Sequence, residues 1–284
     1  PYRRQRQMCI RDRYTLTLTD GEQSVTLQHL LIGEVWLCAG QSNMVMPLNG
    51  FDYCPISDSN NVIADALNHP GIRMVTIKPT VKLSPQEYAE GSWQQPTTEN
   101  APKFSAAAYH YALTLQRTLQ IPIGVITCAW GGSRVEGWLP KEILQTYKDE
   151  DLTLIGSDKT PVYLQSMLMY NGILYPCHKY TIKGFIWYQG ESNVRSSRTY
   201  AERLATMVKH WRSIWKQGDL PFYYVETVPF ACEYKEDGYI GALLREAQQK
   251  ALSLIPNSGM IGTNDLVETY EAPQVHPHLS LIHI

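Results

Sequence analysis

The sequence has no apolar run approaching the roughly 18 residues a membrane-crossing helix requires, so membrane insertion is not expected. Charge is also scarce. Charged residues make up 18% of the 284-residue chain and the formal net charge is −2. That balance gives no basic footprint for nucleic acid or an anionic membrane surface. The six cysteines (9, 38, 54, 128, 177 and 232) form no CxxC pair and show no zinc-ligand spacing, so they give no sign of a zinc site; no cofactor is expected. Cys38 and Cys128 lie within apolar runs and are expected to be buried thiols. Cys54 and Cys177 lie in loop-like surroundings and could pair as a disulfide, which sequence leaves open. The GxSxG nucleophile elbow is missing, as are a signal-peptide pattern and internal repeats. What remains is an ordinary globular composition, 44% hydrophobic, with 7 Trp and 18 Tyr. Such rings line carbohydrate sites, but they also fill cores, and composition does not separate the two.

The chain is organised around residues 33–44, GEVWLCAGQSNM. Val35–Ala39 is a short continuous apolar run, the pattern of a strand buried on both faces of a parallel sheet. It ends at Gly40, and Gln41-Ser42-Asn43 follows. A serine just past the C-terminal end of such a strand lies where open α/β sheets bind ligands. If a helix begins there, free backbone N–H groups surround its hydroxyl, an arrangement suited to a nucleophile that generates an oxyanion. Spacing alone leaves open that Ser42 is only a helix N-cap.

The rest of the chain alternates strands and helices. Residues 14–20 and 23–31 read as a hairpin around Asp20-Gly21. Helix is expected at 60–68, 104–119, 141–147, 163–174, 200–215 and 240–254; Ala106, Tyr109, Leu113 and Leu119 form the apolar side of the second of these. Strands are expected at 72–78, 123–129, 183–188, 221–227 and 259–263. Alternation of this kind predicts a parallel sheet covered on both faces.

Three further blocks fall at strand ends or in a late loop: Ala129–Trp138 (AWGGSRVEGW), Ile186–Asn193 (IWYQGESN) and Val275-His276-Pro277. Together with residues 33–44, in this order, they resemble the sialate O-acetylesterase family within the SGNH hydrolases, over roughly residues 31–278. The resemblance implies a three-layer α/β/α flavodoxin-like fold with a parallel central sheet. It makes the hairpin the last piece of a preceding β-rich region. Residues 1–13 and 279–284 resemble translated sequencing-adapter sequence, with a basic arm as the alternative for the first, so the chain is expected to be a fragment with replaced ends.

Acyl transfer needs a nucleophile, a base and N–H donors for the oxyanion. Ser42 is the expected nucleophile and His276 the expected general base, with His278 as a competitor. The oxyanion donors are expected from the backbone of Ser42 and Gly132, completed by a side-chain amide of Gln189 or Asn193. Gln41 and Asn43 flank the nucleophile and, with Glu136, Trp138 and Glu191, are candidates for substrate contact. Trp138 could equally be core, Glu191 an ion-paired loop carboxylate, and Gly131-Gly132 a plain tight turn. Many SGNH enzymes carry Asp three residues before the histidine, where Pro273 stands here. Asp265, Glu268, Glu271 and a backbone carbonyl are the candidates left to hold the ring.

The resemblance implies a metal-independent carbohydrate O-acetylesterase of bacterial origin, secreted or periplasmic, acting on 9-O-acetylated sialic acid or on acetylated xylan or another plant polysaccharide. The alternative class is a non-catalytic carbohydrate-binding protein on an esterase scaffold. Oligomeric state is not readable.

Overall fold

The structure, a computed structural model, describes residues 13–230, 239–267 and 276. The expectations placed on residues 1–12, Cys232, Glu268, Glu271, Pro273, His278 and 279–284 lie outside the described residues.

Six strands form one parallel sheet: β3 (Glu34–Gly40), β4 (Ile72–Thr76), β5 (Ile123–Ala129), β6 (Gly184–Tyr188), β7 (Phe222–Val225) and β8 (Ser258–Ile261), in the spatial order β4-β5-β3-β6-β7-β8. β3 is central, paired to β5 on one side and β6 on the other. From β3 the chain crosses to one edge and then returns past it, so the switch of direction falls beside this strand, where such sheets open a crevice. The hairpin, β1 (Tyr14–Thr19) and β2 (Ser24–Leu30), is a separate two-stranded sheet with its side chains almost all exposed.

The continuous apolar runs follow from burial on both faces. Along β3, Leu37 and Ala39 enter a core shared with Phe185, Trp187, Trp211 and Leu244, while Trp36 and Cys38 enter the opposite core with Tyr109, Leu113 and Val125. Two helices cover the first face, α5 (Ser197–Trp215) and α6 (Ile240–Leu254). α3 (Ala106–Leu119) covers the second, along with α1 (Ser42–Val45) and the partly buried Val62 and Ile63 of α2 (Ser59–Asp65). The three layers are therefore helix, sheet, helix. In α5 the expected stripe of Leu204, Met207, Val208, Trp211 and Trp215 is buried. α3 is capped by Ser105, whose Oγ accepts from Ala108 N–H at 3.3 Å. Leu119, expected on its apolar side, is instead exposed in its last turn.

One expected helix forms only in its second half. Within 163–174, Val162–Leu164 is a 3-10 turn, Met167 adopts φ +61°, and helical structure resumes as a wide π turn over Tyr170–Leu174. Gln165 explains the break: its amide is held by Gly156 N–H and by the carbonyls of Ser157 and Thr160, which ties the chain to the preceding loop. The helix expected at 141–147 is confined to α4 (Lys141–Leu144).

Candidate active site

Gly40 ends β3 with φ +147°, and a Cβ there would lie 2.1 Å from the carbonyl oxygen of Tyr188. Only glycine fits this approach. The next residue is fastened twice: Gln41 N–H donates to Tyr188 O at 3.0 Å, and Gln41 Oε1 accepts from Gly190 N–H at 3.1 Å. Ser42 therefore opens α1 in a fixed place, half-buried. The loop after β5 runs beside it. A Cβ on Gly131 would sit 3.7 Å from Ser42 Cβ, and Trp130 N–H donates to Gly40 O at 3.0 Å. Gly132 has φ +74°, and its carbonyl accepts from Ser192 Oγ at 2.8 Å. Among the described residues the backbone N–H groups of Ser42 and Gly132 meet no acceptor.

His276 comes to the same edge and is only 5% exposed. Its Nδ1 lies 2.7 Å from Asn43 Oδ1, and Asn43 Nδ2 donates to Glu191 Oε1 at 2.9 Å. Cys54 Sγ donates to the His276 carbonyl at 2.7 Å. Phe51 meets the imidazole edge-on at 5.4 Å between ring centroids, with Tyr53 at 6.5 Å. Burial pulls the imidazole down to about 4. Burial also pushes the Glu191 carboxyl up to about 7, outweighing the hydrogen bonds that favour its ionised form. No hydrogen bond joins Ser42 Oγ to the His276 ring. The two residues are neighbours through Asn43. Catalytic contacts of this type often tighten only around substrate.

Four expected roles meet a different arrangement. The amide hydrogens of Gln189 are committed to Ser133 O at 3.0 Å and Asn193 Oδ1 at 2.8 Å. Those of Asn193 go to the Glu136 carboxylate at 3.0 Å and Ser196 Oγ at 3.2 Å. Neither side chain has a donor left for an oxyanion. Glu136 is fully buried and ion-paired to Arg203 at 2.5 Å. Trp138 is fully buried among Trp187 and Trp211, its indole N–H on Ser133 Oγ at 3.0 Å. These residues brace the loop from within. Gln41 is buried and does the same, and Glu191 is neither ion-paired nor on the surface. Asp265 makes no hydrogen bond to His276. Cys54 and Cys177 do not pair with each other: the sulfur beside Cys177 is that of Cys128, 3.8 Å away.

Sequence reading missed the contact of Asn43 with His276, the Cys54 anchor, and the Phe51–Tyr53 wall. The Asn43 contact had a faint signal, an amide one residue past the nucleophile. The aromatic wall had two rings in a loop otherwise rich in turn formers. Arg203, the partner of Glu136, had none. A 310 Å³ hollow beside Trp93 and Tyr180 lies at the opposite, N-terminal end of the sheet.

A parallel α/β sheet with a serine after its central strand and a histidine carried to the same edge defines the SGNH hydrolase fold. More narrowly, the family described as carbohydrate esterase, sialic acid-specific acetylesterase, matches residues 32–280, and the chain belongs to it. It is 26% identical over 257 residues to the human sialate O-acetylesterase, covering 84% of this chain and 48% of that protein. The mouse protein of the same name is 25% identical over 289 residues, covering 86% and 52%. The chain thus spans about half the length of these relatives. Among solved structures, a carbohydrate acetylesterase from Xanthomonas citri superposes with TM-score 0.81 at 30% identity, over 94% of this chain and 58% of that one.

Proposed function

We propose that this chain hydrolyses O-acetyl esters of carbohydrates through an acetyl-serine intermediate. The observation that carries the reading is His276 held against Asn43, the residue next to Ser42, beside backbone N–H groups of Ser42 and Gly132 that meet no acceptor among the described residues. Neutral His276, with Nε2 free of the Asn43 contact, takes the proton of Ser42 Oγ as that oxygen attacks the acetyl carbonyl. The N–H groups of Ser42 and Gly132 receive the oxyanion, each worth about 10²–10³ in rate by analogy with other oxyanion donors. The sugar hydroxyl leaves with the proton from His276. Water, deprotonated by the same ring, then releases acetate and restores Ser42.

Acetylated sialic acid is the substrate class named in the family description and in the relatives, and it comes first here. Acetylated xylan is the second choice. The Phe51 and Tyr53 rings beside His276 offer an apolar face of the kind on which a sugar ring packs. The same reading carries a bacterial source, supported by the Xanthomonas likeness, and a location outside the cytoplasm, where acetylated glycans are met.

The test is acetate release from 4-nitrophenyl acetate and from 9-O-acetylated sialic acid, comparing the chain with Ser42→Ala. Loss of nearly all activity in the variant supports the reading. Activity unchanged by the substitution removes Ser42 as nucleophile, and a folded wild-type chain inert on both esters would favour a binding protein.

A further inference from the structure

Three groups stand in a line behind the proposed base: His276 Nδ1, the Asn43 amide and the Glu191 carboxylate, with contacts of 2.7 and 2.9 Å. We propose that Asn43, locked by Glu191, is the positioning residue for His276, filling with an amide the place that a carboxylate holds in a Ser-His-Asp triad. The inference rests on the catalytic reading of Ser42 and His276.

The polarity of the line follows from donor and acceptor chemistry. Asn43 turns its NH₂ toward Glu191, the one orientation open to it once the carboxyl is ionised and can only accept, as it is above about pH 7. Its carbonyl oxygen then faces the ring, and an amide oxygen only accepts. Nδ1 must therefore carry the hydrogen, which leaves the lone pair on Nε2, the nitrogen that a nucleophile needs. Without Glu191 the amide could turn over, present NH₂ to Nδ1, and select the wrong tautomer. The carboxylate thus acts on the base at one remove.

Other features of the site fit this use. Glu191 is buried on the loop after β6, with Oε2 lacking any hydrogen-bond partner among the described residues. A buried carboxylate with one oxygen unsatisfied is expensive to keep, and no ion pair explains it. Asn43 is fully buried and stands next to Ser42 on α1, so the nucleophile and the group orienting its base ride on one rigid turn. The neutral amide also has a consequence that a carboxylate would not: it adds no negative charge beside the imidazole, which therefore stays in its base form.

Two measurements test this. The first is the tautomer of His276, read from ¹⁵N–¹H correlation spectra of histidine-labelled protein, with the signal assigned by His276→Gln. The Nδ1–H form is expected, and the Nε2–H form would overturn the proposal whatever the activity. The second is a kinetic cycle on 4-nitrophenyl acetate. Asn43→Ala should lower kcat by roughly 10²-fold or more with KM within about threefold, the signature of a lost orienting group. Asn43→Asp alone sets two carboxylates against each other and should be comparably poor. Adding Glu191→Gln to it restores a donor facing a carboxylate acceptor, with the polarity toward Nδ1 unchanged, and should recover at least tenfold. No recovery in that double variant, or full activity in Asn43→Ala, would overturn the role. Should Asn43→Ala not fold, the spectrum and the double variant still decide. An inert wild type or an active Ser42→Ala would instead count against the esterase reading, and the tautomer would remain as an independent test of the line.

Discussion

Arg203 and Glu136 form an ion pair 2.5 Å long in the interior, the arginine reaching from α5 to the loop that follows β5. The same guanidinium donates to Asp149 at 2.7 Å and lies 4.7 Å from the centre of the Tyr147 ring. Glu136 also accepts from Asn193 at 3.0 Å, so the pair joins the loops after β5 and β6. Removing one partner strands a buried charge, whereas the intact pair is close to neutral in its net effect. Glu136→Ala is therefore expected to destabilise the chain by about 3–5 kcal/mol. The check is urea denaturation, set beside KM in the fraction that remains folded. A large change in KM with unchanged stability would return Glu136 to the substrate.

Trp138 belongs to the same underside. With its indole packed against Trp187 and Trp211 at centroid distances of 5.5 and 6.3 Å, Trp138→Ala should cost about 3–5 kcal/mol through the cavity left behind. Thermal unfolding measures this. A substrate-contact role would instead leave the melting temperature in place and raise KM.

Gly40 and Gly218 separate two reasons for glycine. Both have positive φ, but a Cβ on Gly40 would meet the Tyr188 carbonyl at 2.1 Å, and one on Gly218 meets nothing within 4 Å. Gly218→Ala is expected to cost about 1 kcal/mol, from backbone conformation alone. Gly40→Ala must also push β3 from β6 and should cost several times as much. Equal denaturation midpoints for the two variants would contradict the close approach.

Stability against pH should report both buried titrating groups. Glu191 is raised to about 7, so the native state holds its proton more tightly than the unfolded chain, and stability falls as pH climbs from about 4.5 to 7. His276 is lowered to about 4, so the native state holds its proton less tightly, and stability falls as pH drops from about 6.5 to 4. Each amounts to something on the order of 3 kcal/mol, and across about pH 4.5–6.5 the two slopes oppose and nearly cancel. Glu191→Gln removes one of them. That variant should gain stability steadily from pH 4.5 to 6.5 and melt above the wild type at pH 8, although its activity falls. Parallel pH profiles for the two proteins would refute the assignment.

Much of this molecule was legible in one dimension because its signals are local. The runs Val35–Ala39, Ile123–Ala129 and Phe185–Tyr188 are apolar without alternation, since both faces of a parallel strand are covered, and all three lie in the sheet. The helical stripe from Leu204 to Trp215 reads at its period and is buried as read. Where a side chain competes for backbone groups, as Gln165 does, the period misleads: the expected helix over 163–174 is broken by contacts to residues 156–160. Gln189, Asn193, Glu136 and Trp138 sit in blocks that read as functional, yet only three-dimensional neighbours show that their donors, charge and ring are already engaged.

By itself the sequence determined the alternation of strands and helices, the family, and the few polar residues at strand ends from which a site could be built. Those depend on periodicity and residue type, which a linear chain carries. Tertiary structure alone decided which polar groups remain free and which face one another. It brought His276 to Asn43 across 233 residues and set Glu191 behind them. A hydrogen bond is decided within a few tenths of an ångström and by the direction of a lone pair, and residues far apart in the chain acquire that relation only when the sheet that carries them has closed.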